Sequence, residues 1–461
     1  MAPSITNAVL KNYLLFLGSV LIGVTPLATR AAEDPKDRVV VMISIDGLAA
    51  FYFDDPKAEM PTIRKLAAEG VRSTMMKAST PTVTWPNHTT LVTGVNPAKH
   101  GVTGNNCFDR ADRKRLTFIG DPVFDKDQIV KVPTLYDLAK AAGLKTAAIR
   151  WPATRNAKAL DWTVPDMKAQ SSITNFCTTA FLDECEAAGI HIRAAYDKGA
   201  LDDDTTTEAF DLMLKKNRPN FALLHNAFVD HTQHEKGPRT PEAYAAVKAA
   251  DAQVRMVWDE LQKDFPGKAT LIIVSDHGFS PITHTIFPNV TLRKAGLITM
   301  EGKETSGPVQ VVVQGGAAMI YLLDQGRRAE LITKVASAFA GAEGVSKVVG
   351  PEQLKDYGVA DPAQDPHAPD MILFADEGWA FGNTANGEQP FKDKVELTGT
   401  HGHDPNLPHL HATFVAWGYG IKKGVVMGEI ANTCVAPTVA QLLGVKLPET
   451  DGAVLTEALA Q

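Results

Sequence analysis

Short runs of apolar and β-branched residues recur along the chain and predict strands buried on both faces of a sheet. These runs are Val39–Ile45, Lys145–Ile149, Phe221–Phe228, Ala269–Val274 and His411–Trp417. Segments with apolar residues at helical spacing lie between them, and most end at a glycine or proline. They are Pro61–Glu69, Val132–Ala142, Thr207–Lys216, Glu242–Phe265 and Ala436–Leu443. The alternation predicts an α/β fold with a mostly parallel central sheet flanked by helices.

Two regions depart from this alternation. Residues 155–205 show weak periodicity, which suggests an excursion from the core. Residues 300–395 begin with strand-like runs at Val309–Val313 and Ala317–Leu323. A helical segment at Arg327–Phe339 follows, and then a stretch rich in proline, aspartate and glycine. We interpret residues 300–395 as a cap subdomain inserted into the core.

The amino terminus has the pattern of a targeting segment. Lys11 precedes the apolar run Tyr13–Ala28, and small residues at Thr29–Ala32 lead into a charged stretch. This pattern predicts a cleaved secretory signal over residues 1–31. A membrane anchor is the alternative, but the run is short and interrupted by glycine and proline. We therefore expect a mature domain over residues 36–461, exported to the periplasm or the extracellular space, with no stable membrane span after cleavage.

The charge balance is acidic. The chain of 461 residues has 46 Lys and Arg against 53 Asp and Glu, a formal charge of −7. Loss of residues 1–31 removes Lys11 and Arg30 and no acid, so the mature chain would carry −9. An acidic excess disfavours a nucleic-acid-binding module.

Export would also permit disulfide bonds between cysteines. The four cysteines allow three pairings, of which Cys177 with Cys185 is the simplest, and the others are Cys107 and Cys434. None has zinc-finger spacing, so we interpret all four as structural.

The stretch from Thr80 to Gly94 reads Thr-Pro-Thr-Val-Thr-Trp-Pro-Asn-His-Thr-Thr-Leu-Val-Thr-Gly and predicts the start of a helix. Pro86 fits a first helical turn, where its missing N–H has no cost. Thr84 would then lie beside free backbone N–H groups at the positive end of the helix dipole, which suits a nucleophile that meets a phosphate. Ordinary helix capping by threonine and asparagine is the alternative interpretation.

Acids and histidines follow several of the predicted strands. The chain reads Asp46-Gly after the first strand, Asp230-x-x-x-His234 after a later one, Asp276-His277 after another, and His401 where the core returns. Carboxylate oxygens and imidazole nitrogens are zinc ligands, and two metals about 3.5–4 Å apart can clamp both reacting oxygens in phosphoryl transfer. Each motif alone is common in turns, but the ordered set predicts a metal site.

With these motifs, the sequence resembles the alkaline phosphatase superfamily, and most closely its nucleotide pyrophosphatase/phosphodiesterase branch. The resemblance covers nearly all of the mature core and is weak over residues 155–205 and 300–395. It implies an alkaline-phosphatase-like sheet with an inserted cap, and it makes Thr84 the attacking residue. It also implies that Asn105, in Gly104-Asn-Asn106, helps to hold a non-bridging phosphate oxygen, although the neighbouring Asn106 is an alternative.

The resemblance implies two zinc ions. One would be held by Asp46, Thr84, Asp276 and His277, and the other by Asp230, His234 and His401. His231 and His403 adjoin these ligands without matching them, and we expect them to support ligands or face solvent. For His88, inside the nucleophile motif, we expect packing or hydrogen bonding.

The implied activity is hydrolysis of phosphodiester or pyrophosphate bonds in a small substrate such as a nucleotide, through a phosphothreonine intermediate. A diester preference is expected because the loop from Ile149 to Asn156 lacks a Lys-x-Arg pair, although Arg150, Arg155 or Lys158 could still reach the phosphate. A phosphomonoesterase or phosphonate hydrolase of the same superfamily is the main alternative. A sulfatase is disfavoured because no Cys/Ser-x-Pro-x-Arg motif is present, and a secreted binding protein without activity is the non-enzyme alternative.

Overall fold

A central sheet of eight strands forms the core of the protein. The structure is a computed structural model that describes residues 35–120, 123–167, 173–197, 202–302 and 304–460. The predicted signal segment, residues 1–31, lies outside the described residues. In chain order, the strands of the described residues, in this sheet and in smaller ones, are β1 (Val39–Ile45), β2 (Val71–Lys77), β3 (Asn106–Asp109), β4 (Lys114–Thr117), β5 (Thr146–Ile149), β6 (Trp162–Val164), β7 (Phe221–Asn226), β8 (Ala269–Val274), β9 (Ser280–Ile286), β10 (Thr299–Glu301), β11 (Glu304–Ser306), β12 (Val309–Gln314), β13 (Ala317–Leu322), β14 (Val345–Val349), β15 (Met371–Ala375), β16 (Gly378–Phe381), β17 (Phe391–Thr400), β18 (Phe414–Gly418) and β19 (Val425–Ala431).

Helices cover both faces of this sheet. In chain order, the helices of the described residues, including those outside the central sheet, are α1 (Pro61–Glu69), α2 (Thr84–Thr93), α3 (Pro97–His100), α4 (Lys126–Ile129), α5 (Leu135–Ala141), α6 (Thr179–Ala187), α7 (Ile192–Asp197), α8 (Asp203–Asn217), α9 (Phe228–Lys236), α10 (Pro241–Asp264), α11 (Pro288–Lys294), α12 (Arg328–Phe339) and α13 (Val435–Leu443). Side chains of α1, α8 and α10 pack on one face and those of α2, α5 and α13 on the other.

The sheet has the order β19-β2-β18-β8-β1-β7-β5-β6. Strand β1 is parallel to β7 and β8, and β5 is parallel to β6 and β7. Strand β18 is antiparallel to both of its neighbours. The expected α/β fold with a mostly parallel sheet is therefore confirmed, and the continuous apolar runs arise because β1, β7 and β8 are buried on both faces.

The register aligns the strand ends that carry the candidate ligands. Ser44 on β1 pairs with His225 on β7 and with Val274 on β8. Asp46 and Asp276 each lie two residues beyond these pairs, so both leave the sheet at the same edge. This shared carboxyl edge is where open α/β sheets bind ligands.

The predicted excursion at residues 155–205 is wrong in part. In its described residues β6 pairs with β5 and extends the central sheet at its edge, while α6 and α7 pack nearby. All four cysteines lie in the described part of the chain and no disulfide joins any two of them, so the expected Cys177–Cys185 bond is not formed. Cys177 and Cys185 are instead buried in the apolar core on one face of the sheet.

Residues 300–395 hold small sheets outside the central one. Strands β12, β13, β15 and β14 form an antiparallel sheet, against which α12 packs Leu331, Val335 and Phe339. Strand β9 leaves the core and pairs with β16 and β17. That this region acts as a cap remains a prediction. Among the described residues, no helix combines the length and apolar character needed to cross a bilayer.

Candidate active site

Helix α2 begins at Thr84, as the sequence predicted, and this residue is 6% exposed. The residue before the helix is Val83, whose own side chain makes no capping hydrogen bond. Asn87 stabilises the preceding loop instead, since its amide nitrogen donates to the Pro81 and Val83 carbonyls and its oxygen accepts from the Ser79 N–H. Thr84 is therefore the first residue of the helix and not its capping residue, and it lies at the positive end of the helix dipole.

Asn105 lies against the first turn of α2. Its side-chain oxygen accepts the Trp85 N–H at 2.9 Å, and its own N–H faces the Gln314 side-chain oxygen at 3.3 Å. The Gln314 amide in turn donates to the Asn106 carbonyl, so strand β12 holds this loop. Because the Asn105 oxygen is already used, its amide NH₂ is the group left to donate to a ligand.

Three of the four predicted ligands of the first zinc, Asp46, Asp276 and His277, lie together. The Nε2 atom of His277 lies 3.3 Å from Asp46 Oδ1 and 3.1 Å from Asp276 Oδ2. The other Asp276 oxygen accepts the Gly47 N–H. Asp46, Asp230 and His277 each offer an atom to a common point, and the three atoms lie within 4.8 Å of one another.

The predicted ligands of the second zinc form a second group. Asp230, His234 and His401 also offer atoms within 4.8 Å of one another, and the two Nε2 atoms are 3.1 Å apart. Asp230 and His234 both lie on α9, where four-residue spacing puts them on one face. Asp230 belongs to both groups and therefore joins them.

The three histidines are held with Nε2 directed into these groups. The Nδ1 atoms of His234, His277 and His401 face the carbonyls of Gly399, Gly278 and Thr82, at 3.1, 3.0 and 2.9 Å. Since a carbonyl only accepts, Nδ1 carries the proton and the Nε2 lone pair remains available to a metal.

Buried polar atoms without hydrogen-bond partners provide a test of the fit to a metal. Such atoms include one oxygen each of Asp46, Asp230 and Asp276, together with Nε2 of His277. Leaving polar groups buried and unpaired is costly, so they normally have partners or bind an ion. The carboxylate and imidazole donor set fits zinc or a similar divalent metal.

Electrostatics point the same way. Burial, together with the charges of Asp276 and Asp230, raises the pKa of Asp46 well above its ordinary range. Burial also acts to raise the pKa of Asp230, but His234 and neighbouring imidazoles outweigh it and hold that pKa below its usual range. Three crowded carboxylates, of which those of Asp46 and Asp276 are buried, form a strongly anionic environment that a divalent cation would relieve.

His225, which is buried within β7, is not among the site residues that the sequence predicts. Its Nε2 lies 3.0 Å from Asp46 Oδ2, and its Nδ1 lies 2.9 Å from the Arg150 carbonyl. The available signal was a histidine in the otherwise apolar run of that strand, one residue from its end.

Other candidate residues take supporting places. His88 Nδ1 lies 2.9 Å from the Thr84 carbonyl and 3.6 Å from Asp276. His403 is buried against the Trp379 carbonyl, whereas His231 is exposed beside Glu235.

Comparison with known proteins gives a family. A family model described as type I phosphodiesterase / nucleotide pyrophosphatase matches residues 40–404. Ectonucleotide pyrophosphatase/phosphodiesterase family member 3 of Rattus norvegicus is 27% identical over 244 residues, which are 52% of this chain and 24% of that protein. Venom phosphodiesterase of Naja atra is 24% identical over 437 residues, 92% of this chain and 46% of that protein. The chain thus spans less than half the length of these two relatives.

Solved structures share the fold. Mouse ectonucleotide pyrophosphatase/phosphodiesterase 5 superposes with a TM-score of 0.70 at 20% identity, covering 92% of this chain and all of that one. An inactive variant of the same mouse protein, in complex with AMP, matches equally well. The family match takes in both ligand groups and the start of α2, in agreement with the resemblance seen in the sequence. The chain belongs to the type I phosphodiesterase / nucleotide pyrophosphatase family.

Proposed function

We propose that this protein is an exported, metal-dependent hydrolase of phosphodiester or pyrophosphate bonds, with Thr84 as its nucleophile. The observation that carries the proposal is the convergence of six ligand side chains next to the helix that begins at Thr84. The loop before α2 contacts one ligand group through the Thr82 carbonyl and His401, and α2 approaches the other through His88 and Asp276. These contacts support our assignment of Thr84 and the ligands to one site.

The residues divide into two proposed metal sets. Asp46, Asp276 and His277, with Thr84, would hold one ion, and Asp230, His234 and His401 would hold the other. Two bound zinc ions would act as Lewis acids, lowering the pKa of a hydroxyl and neutralising phosphate charge.

The chemistry is then performed on Thr84. Its hydroxyl gives up its proton to solvent and its oxygen attacks phosphorus, the bond from phosphorus to the leaving oxygen breaks, and a phosphothreonine forms while the leaving oxygen departs with the other part of the substrate. Water attacks the same phosphorus in the second half-reaction and releases the Thr84 oxygen. The Asn105 NH₂ group donates a hydrogen bond to a non-bridging phosphate oxygen, where negative charge develops.

A diester preference is favoured because two of the candidate phosphate-binding cations, Arg150 and Arg155, are already paired with acidic side chains. Arg150 is paired with Asp203 at 2.9 Å, and Arg155 with Asp125 at 2.9 Å. Both guanidinium charges are thereby compensated within the protein, while a monoester carries nearly one more negative charge that needs a cation.

The substrate is proposed to be a nucleotide or a related small diester. Venom phosphodiesterase among the relatives and AMP in the mouse structure both favour this class. Trp85, the residue after the proposed nucleophile, is 1% exposed and packs with Val102 and Phe118, so we assign it no contact with substrate.

The test compares kcat/KM for bis-p-nitrophenyl phosphate, or a nucleotide p-nitrophenyl ester, with that for p-nitrophenyl phosphate. We expect the diester to be favoured by at least tenfold, which is about 1.4 kcal/mol of transition-state preference. A tenfold advantage for the monoester would overturn the proposal in favour of a phosphomonoesterase. Absence of both activities in the zinc-loaded protein would favour a binding protein.

A further inference from the structure

A series of buried and partly buried polar contacts connects Asp46, in one ligand group, with the start of α9. Helix α9 carries Asp230 and His234, two ligands of the other group. We propose that Arg150 and Asp203 are positioning residues that couple the two groups through this series of contacts. The inference rests on the proposed metal-binding function and deepens it, because it says how ligands from separate strand ends are kept in one geometry.

The first part of the series fixes Asp46. His225 is 1% exposed and lies between two acceptors, Asp46 Oδ2 at 3.0 Å and the Arg150 carbonyl at 2.9 Å. Because the carbonyl belongs to the backbone that leaves β5, the orientation of the imidazole depends on the conformation of Arg150. Such contacts behind a ligand set its direction and its affinity for metal.

The backbone at Arg150 is unusual. Its φ of 55° lies in the left-handed region, which residues other than glycine adopt at some cost. Its N–H donates to the Val164 carbonyl of β6, so neighbouring strand structure holds this conformation. The turn leaves the carbonyl facing His225 while the side chain extends towards α8 and α9.

The second part of the series fixes α9. The Arg150 guanidinium donates to Asp203 Oδ1 at 2.9 Å, and a second acid, Asp166, lies 3.6 Å away. The two Asp203 oxygens accept the backbone N–H groups of Ala227 and Phe228, at 3.1 and 2.9 Å. These are the N–H groups at the start of α9, which have no partner within a helix.

Asp203 therefore sets where α9 begins, and its negative charge is favourable at the positive end of that helix. Asp230 lies in the first turn of α9 and His234 one turn later. A shift in this cap would move both ligands together. Arg150 is thus shared between the support of Asp46 and the support of Asp230 and His234.

A double-mutant cycle tests the coupling. Asp203→Asn weakens the cap of α9, and His225→Asn removes the contact with Asp46 while an amide can still donate to the Arg150 carbonyl. The measurement is the zinc dissociation constant by chelator competition, with metal content by elemental analysis. We expect each single variant to bind zinc 10- to 100-fold more weakly. The fold-loss of zinc affinity in the double variant should be at least threefold smaller than the product of the fold-losses in the two single variants.

Asp370→Asn is the matched control. Asp370, in the region of β12–β15, also accepts a backbone N–H and pairs with a partly buried arginine, Arg110. The exposed side-chain fractions are 13% and 0% for that pair and 15% and 5% for Arg150 with Asp203. We expect Asp370→Asn to lower the melting temperature of the metal-free protein and to leave zinc affinity within twofold of wild type.

Each outcome decides the inference. Losses in the double variant that equal the product of the single losses would overturn the coupling, as would an Asp203→Asn variant with wild-type zinc affinity. If Asp203→Asn does not fold, Arg150→Lys replaces it in the cycle, because lysine keeps the charge without the fork geometry. Wild-type protein that binds less than one zinc per chain would instead contradict the proposed function itself.

Discussion

The hydroxyl of Thr82 joins the loop before α2 to the loop that carries His401, and its removal is the most informative test of how the site is built. The hydroxyl oxygen accepts the Gly402 N–H at 3.0 Å and donates to the His403 carbonyl at 3.0 Å. The side chain is fully buried. Thr82→Val keeps the shape but leaves both backbone groups without these partners.

The magnitude follows from those two groups. An unpaired buried polar group costs about 1–3 kcal/mol, so the variant should lose about 2–6 kcal/mol of local stability. If about 2 kcal/mol of this loss destabilises the loop conformation in which His401 can bind metal, the affinity for zinc falls about thirtyfold. The contact from the Thr82 carbonyl to His401 Nδ1 is a backbone contact and is retained.

The assay combines zinc affinity by chelator competition with hydrogen exchange at the Gly402 amide. We expect weaker zinc binding and faster exchange in Thr82→Val, and values near wild type in Thr82→Ser, which retains the hydroxyl. If Thr82→Val matched wild type in both measurements, the hydroxyl would not hold the His401 loop and the reasoning would be refuted.

Asp230→Asn should lower the metal content per chain more than His234→Ala does, because Asp230 also lies within 4.8 Å of the ligand atoms of Asp46 and His277, whereas His234 belongs to one group only. Elemental analysis decides this, and equal metal content in the two variants would contradict a shared Asp230. Burial lowers the pKa of His100 to about 3, so between pH 6.5 and 3 the unfolded state binds a proton that the folded state does not. Acidification should therefore destabilise the wild type more than His100→Asn, and parallel stability curves from denaturant titrations at pH 7 and pH 4.5 would argue against this.

Much of the fold could be predicted because several elements are decided by local pattern. The run at Val39–Ile45 and the helix at Pro61–Glu69 occur with the predicted bounds, since one is buried on both faces and the other starts at a proline. Strand β2 was not predicted, because its sequence includes Arg72 and Lys77 and it exposes part of its side chains. Its place in the sheet depends on pairing with β18 and β19, which no local pattern encodes.

The candidate ligands could also be predicted from local sequence patterns. Asp46 and Asp276 follow buried strands directly, and parallel strands bring their ends to one edge. The supports of those ligands were not visible, since His225, Arg150 and Asp203 meet only through side-chain contacts between distant segments. Arg150 was a candidate for binding phosphate, and its pairing with Asp203 gives it another role.

The central claim is that Thr84 attacks phosphorus at a metal site whose other ligands lie outside α2. Turnover of bis-p-nitrophenyl phosphate by Thr84→Ala, measured on protein whose metal content is determined in parallel, tests it most directly. The account predicts a fall in kcat of roughly 10³-fold or more, in the range seen when a catalytic nucleophile is removed, with most of the metal retained. Turnover near the wild-type rate would mean that water attacks phosphorus directly and would contradict the account.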